Sequence, residues 1–185
     1  MSTQITIASK LPYKSYVALL TQSGGDNVEG ISGTPLTIGR TYRIDTSDAP
    51  SGNWDFTNVG APNNDIGTYF IATGTTANNW GTNIVLGYNT GAPVVTVLEN
   101  TIGNIWFTYI GTGTYKIHNI DGWDETKLWY GTSGIGNSGS ISINPGRVTM
   151  SIEGADLFIV CYNNDYSAPV NGQLLNTPIE IRVYN

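Results

Sequence analysis

Few side chains in this sequence could do chemistry. His118 is its one imidazole and Cys161 its one thiol. A nucleophilic triad could be drawn from His118, a serine and the nearby Asp121. A lone His closing a strand is nevertheless expected to be a surface or turn residue. Cys161 falls in the most apolar stretch, residues 157–162, where a thiol is inert packing; reactivity would need an exposed, electropositive setting. It has no second Cys to pair with, and Cys and His together are too few for a zinc site. Asp121, Asp124 and Glu125 gather around Trp123. Two carboxylates could flank a sugar bond and three could hold calcium, but the spacing matches no EF-hand loop. They are expected to be solvated turn residues, as are Asp26 with Glu29 and Asp45 with Asp48. The many Gly-x-Gly strings lack the Lys and the strand-to-helix context of a phosphate loop. The expectation is a protein with no catalytic residue, no metal and no cofactor.

The aromatic residues are the more informative surface candidates. Trp54, Trp80, Trp123 and Trp129 lie in or beside polar, Asn- and Gly-rich segments. Flat indoles on a β-scaffold can stack on sugar rings or anchor a protein interface. The plainer reading is that each covers a sheet edge or plugs the core. Trp106, between Ile105 and Phe107, reads as core or subunit contact.

The elements that would hold these residues are strands. Of 185 residues, 39% are hydrophobic and only 12% charged, about half the usual charged share. Gly numbers 23, and Thr and Asn recur throughout, with Tyr, Ile and Val between them. β-branched and aromatic residues suit a pleated, half-buried surface, and Gly and Asn suit tight turns. Strands are expected at 3–8, 16–21, 36–44, 68–73, 83–87, 94–98, 104–110, 114–118, 127–130, 140–143, 147–153, 157–162 and 179–184. Turn signals fall at 23–26, 49–52, 62–65, 89–91, 144–146 and 163–165, and residues 121–128 could form one helical turn. Short strands with turns between them predict an all-β, antiparallel β-sandwich of jelly-roll or Ig-like kind. One domain is expected, or two small β subdomains, 1–90 and 91–185, with the boundary at Asn89-Thr90-Gly91-Ala92-Pro93.

Ile179, Ile181 and Val183 share one strand face, against Glu180, Arg182 and Tyr184 on the other. Ile105-Trp106-Phe107 and the 157–161 run are apolar on both faces. Such strands sit between two layers or pack on another copy of the chain. Ile105, Trp106, Phe107, Ile179, Ile181 and Val183 are therefore candidate subunit-interface residues. The net charge of −6 argues against a nucleic-acid partner, since such surfaces concentrate Lys and Arg. The N-terminal segment lacks the apolar core of a signal peptide. No apolar run approaches the ~20 residues that span a bilayer. Synthesis in a cytoplasm without membrane insertion is expected.

Three strings carry a resemblance. The first is Asp55-Phe56-Thr57 followed by Gly60-Ala61-Pro62 and Gly67-Thr68-Tyr69-Phe70-Ile71-Ala72-Thr73-Gly74. The second is Val97-Leu98-Glu99-Asn100-Thr101-Ile102-Gly103-Asn104-Ile105-Trp106-Phe107-Thr108-Tyr109. The third is Asn176-Thr177-Pro178-Ile179-Glu180-Ile181-Arg182-Val183-Tyr184. Together they resemble the small structural proteins of tailed bacteriophages, the virion-surface, head-decoration and fibre-type components. The resemblance spans the chain from about Leu36 onward and carries no catalytic residues. It implies a virion protein, made in the host cytoplasm and acting as a homo-oligomer such as a trimer on capsid or tail proteins. The alternative is a carbohydrate-binding module or adhesin that reads a host-surface glycan through Trp54, Trp80, Trp123 and Trp129.

Overall fold

The computed structural model describes residues 12–22, 27–31, 33–46, 54–80, 84–89, 91–132, 146–163 and 165–185. Expected strands 3–8 and 140–143 lie outside them. Fourteen strands are present among these residues: β1 (Tyr13–Gln22), β2 (Asn27–Ile31), β3 (Thr41–Thr46), β4 (Trp54–Asp55), β5 (Tyr69–Ile71), β6 (Asn79–Trp80), β7 (Ile84–Asn89), β8 (Pro93–Asn100), β9 (Ile105–Gly111), β10 (Thr114–Asn119), β11 (Leu128–Thr132), β12 (Arg147–Glu153), β13 (Asp156–Tyr162) and β14 (Thr177–Tyr184). Two single 3-10 turns, Thr57–Val59 and Glu125–Lys127, are the helical elements among them.

The protein is an all-β fold of packed antiparallel sheets. One sheet has the order β11-β14-β1-β8 and the facing sheet β12-β13-β10-β9. Their inner faces follow the period of two along each strand. Tyr16, Ala18, Leu20, Ile179 and Ile181 from the first sheet meet Ile105, Phe107, Tyr115, Ile117, Leu157, Ile159 and Cys161 from the second. A smaller sheet, β2-β7-β3-β5, and the β4-β6 pair enclose a second core around Tyr42, Ile44, Phe56 and Phe70.

The two cores do not divide the chain at 90/91. β1 comes from the N-terminal half, yet pairs along its length with β14 on one side and β8 on the other. Its alternating Tyr16, Ala18 and Leu20 can only be buried against the C-terminal strands. The second core draws on residues 36–80.

β5 joins the two cores. Phe70 points into the second core, stacked on Phe56 and Tyr42. Its neighbours Tyr69 and Ile71 point the other way, Tyr69 onto Trp106 of β9 and Ile71 onto the sandwich core. Gly39 adds a second stitch: its N–H donates to the Ala72 carbonyl at 2.7 Å and its carbonyl accepts from Val95 N at 2.8 Å. Its φ of 82° and a virtual Cβ only 2.7 Å from Val94 Cγ1 leave room for glycine alone.

β14 is an inner strand, flanked by β1 and β11. Neither of its backbone edges is open to a neighbouring chain, and Ile179 and Ile181 lie in the sandwich core, 1% and 0% exposed. Ile105 and Phe107 are buried in that same core, and Val183 packs against it. As subunit contacts Ile105, Phe107, Ile179 and Ile181 are corrected, because the period of two directs them at the facing sheet of their own chain; Val183 is half-buried. Trp106 alone among the six candidates points to the outer face.

Candidate functional site

A cleft opens where the two cores meet. β1 supplies Tyr16, the loop after the first 3-10 turn supplies Gly60, and β5 with the residues after it supplies Tyr69, Ile71 and Thr73. The end of β8 and the turn into β9 complete it with Val97, Asn100, Gly103, Asn104 and Trp106. Its volume is about 170 Å³.

The sequence builds this wall locally. The Asn100 side chain closes the β8–β9 turn, accepting from Ile102 N at 3.1 Å and Gly103 N at 3.0 Å while donating to Gly103 O at 2.7 Å. Such Asx turns let Asn replace a backbone partner. The turn is pinned to β1: Ser15 N donates to Thr101 Oγ1 and Thr101 N donates to Ser15 O, both at 2.8 Å. The Ser15 hydroxyl donates to the Glu99 carboxylate. These bonds explain why polar Ser15 is buried.

Three nearly parallel rings form one side. Trp106 lies 5.3 Å from Tyr69 and 5.1 Å from His118, centroid to centroid, and Tyr69 lies 6.4 Å from His118. The interplanar angles are 13°, 2° and 11°. The distances describe a triangle, not a column. Trp106 and His118 are cross-strand partners of the β9–β10 hairpin, and Arg43 lies over Tyr69, its guanidinium carbon 5.9 Å from the ring centre. His118 Nε2 is 2.8 Å from Thr108 Oγ1. Burial, helped by Lys116 and opposed by Asp156, pushes its pKa down to about 4. The ring is thus neutral at pH 7 and held by stacking.

Two buried polar atoms on residues lining the cleft, Tyr16 Oη and Trp106 Nε1, have no hydrogen-bond partner. Burial raises the Tyr16 pKa, so the phenol keeps its proton. Leaving such a group unpaired costs about 1–3 kcal/mol.

The other sequence candidates are dispersed. Trp54 and Trp80 are paired across β4 and β6, half-buried at the wall of the second core. Trp54 Nε1 donates to Asn64 O at 2.7 Å, and Trp80 meets Phe56 edge-on. Trp123 is 5% exposed and donates to Ile117 O at 2.8 Å, so it plugs the sandwich core. A buried indole cannot stack on a glycan, and this candidate is corrected. Trp129 is 44% exposed on β11, with the Arg182 guanidinium carbon 4.6 Å from its ring centre. The four tryptophans therefore form no common surface.

Asp124 caps the second 3-10 turn, accepting from Thr126 N at 3.0 Å and Thr126 Oγ1 at 2.6 Å, and these bonds lower its pKa. No cluster of three His, Cys, Asp or Glu side chains suited to a metal occurs among the described residues. Cys161 is buried in the sandwich core, and burial pushes its thiol up to about 12. Asp45 forms an ion pair with Arg43 at 2.7 Å. Asp26 and Asp48 lie outside the described residues.

The ring triangle is the feature that sequence reasoning missed. Alternation about the Gly111-Thr112-Gly113 turn could have put Trp106 and His118 on one face. Tyr69 reaches them only through the fold. Comparisons with protein-family models, with curated proteins and with solved structures return no match for this chain.

Proposed function

We infer that this protein is a non-enzymatic structural component of a bacteriophage particle, a capsid decoration, head-fibre or tail-associated protein that acts through contacts with copies of itself and with shell neighbours. The observation that carries this reading is β13. Leu157, Ile159 and Cys161 are fully buried on its inner side, while Phe158, Val160 and Tyr162 on its outer side stay only half-buried. Ile110, near the end of β9 in the same sheet, is 56% exposed. A sheet with one face already in the core has no need of large apolar residues on the other unless a partner covers them. The state of the reactive groups agrees: the thiol is buried and the imidazole is stacked. Symmetric assembly would repeat one such contact many times, and binding only the assembled shell would stabilise that shell by mass action.

Mass spectrometry of purified particles tests this role. The protein is expected in a fixed ratio to the major shell protein after density-gradient purification. Its loss from particles during the gradient would remove the reading.

A further inference from the structure

We propose that the cleft between the two cores binds one small, uncharged, hydroxyl-rich ligand, a neutral sugar ring or the terminal ring of a longer glycan. The lining of the cleft contains no Asp, Glu, Lys, Arg or His. A wall without counter-charge disfavours an ion, because burying an unpaired charge is costly. Tyr69 and Trp106 add aromatic surface to this lining, apolar area of the kind on which the C–H side of a sugar packs. Thr73 and Asn104 line the cleft and are exposed, so their hydroxyl and amide can meet ligand hydroxyls.

Tyr16 is the second, independent observation. It lines the cleft, is 1% exposed, and its Oη has no partner. Trp106 Nε1 is in the same position. Two residues of this lining thus carry one lone acceptor and two lone donors, a set that hydroxyls, which both donate and accept, match chemically. The volume of about 170 Å³ is below the ~300 Å³ at which sites for drug-sized ligands begin, so the cleft takes one ring. The site does not depend on a role in a particle. It also differs in composition from the four tryptophans that the sequence singles out.

The test uses the full chain and the methyl glycosides of glucose, galactose, mannose and N-acetylglucosamine as probes. Saturation-transfer NMR is expected to show transfer to the ring protons of at least one probe, with a Kd of about 1 mM. Asn104→Ala and Tyr16→Phe are each expected to weaken binding about tenfold. Tyr16→Phe keeps the ring that packs near Phe107, so the fold is retained. Trp129→Ala, on a different face, is expected to change nothing. Absence of saturable transfer from every probe overturns the proposal, as does transfer that persists unchanged in both cleft variants. Loss of thermal stability in Tyr16→Phe with no glycoside bound assigns the hydroxyl to ordered water and overturns it too.

Discussion

His118 illustrates how a residue type can suggest chemistry that its surroundings withdraw. Its ring lies parallel to Trp106 and beside Tyr69, with Thr108 on Nε2. Folding lowers its pKa from 6.5 to about 4, chiefly through burial. Between those two values the unfolded chain takes up a proton that the folded chain refuses. Stability therefore falls as pH drops through that window, and this group adds no further loss below it. The carboxylates act elsewhere. Asp55, Asp124 and Asp165 have folded pKa values below 3.8 because they accept hydrogen bonds from nearby Thr, Ser and Asn groups. Their contribution is held above that value and lost only in stronger acid. Urea midpoints at about pH 7 and about pH 4.5 isolate the His118 effect. The wild-type midpoint should fall between them, and His118→Gln should fall by less. Equal falls in the two proteins would show that the ring titrates freely.

At the scale of elements, the long strands were legible and the joints were not. β9, β10, β12, β13 and β14 lie close to where alternation placed them, because each buries one face against a single facing sheet. β4 and β6 escaped notice: two residues each are too short for any period, and they exist because Asp55, Asn58, Asn64 and Asn78 hold their backbones in a polar knot. The expected strand at 36–44 begins instead at Thr41. The residues before it make the Gly39 stitch, a long-range contact with no local signal. That stitch can be measured against Gly67, which has a similar φ of 86° and nothing within 4 Å of a virtual Cβ. Gly67→Ala should cost about 1 kcal/mol from backbone strain alone. Gly39→Ala carries the same strain and also drives a methyl toward Val94 Cγ1 and the Val95 carbonyl at 2.7 and 2.9 Å. Its cost should be larger, about 2–3 kcal/mol in chemical denaturation. Equal costs would mean that the joint between the cores yields freely.

The apolar strands show how a sequence pattern can be right about burial and silent about which neighbour provides it. At the scale of the whole molecule, Ile105, Phe107, Ile179 and Ile181 are satisfied within the chain, whereas Phe158 and Val160 are left partly exposed on the outer sheet face. The chain carries 8 basic and 14 acidic residues in 185, so association through that face should depend little on salt. Phe158 is the residue to change. It lies opposite Lys116 of β10 and Ser151 of β12, so Phe158→Glu places a carboxylate between a cation and a polar neighbour instead of in the core. The folded chain should tolerate it, with an unchanged circular dichroism spectrum. An interface between copies should not, because a carboxylate buried against an apolar partner is strongly disfavoured. Sedimentation velocity should therefore show an oligomer for the wild type and a monomer for Phe158→Glu. Ile120→Glu serves as the control, since Ile120 is 69% exposed in the loop after β10 and should leave the oligomer intact. A wild type that sediments as a monomer at micromolar concentration, or an oligomer indifferent to Phe158→Glu, would move the assembly contact off this face.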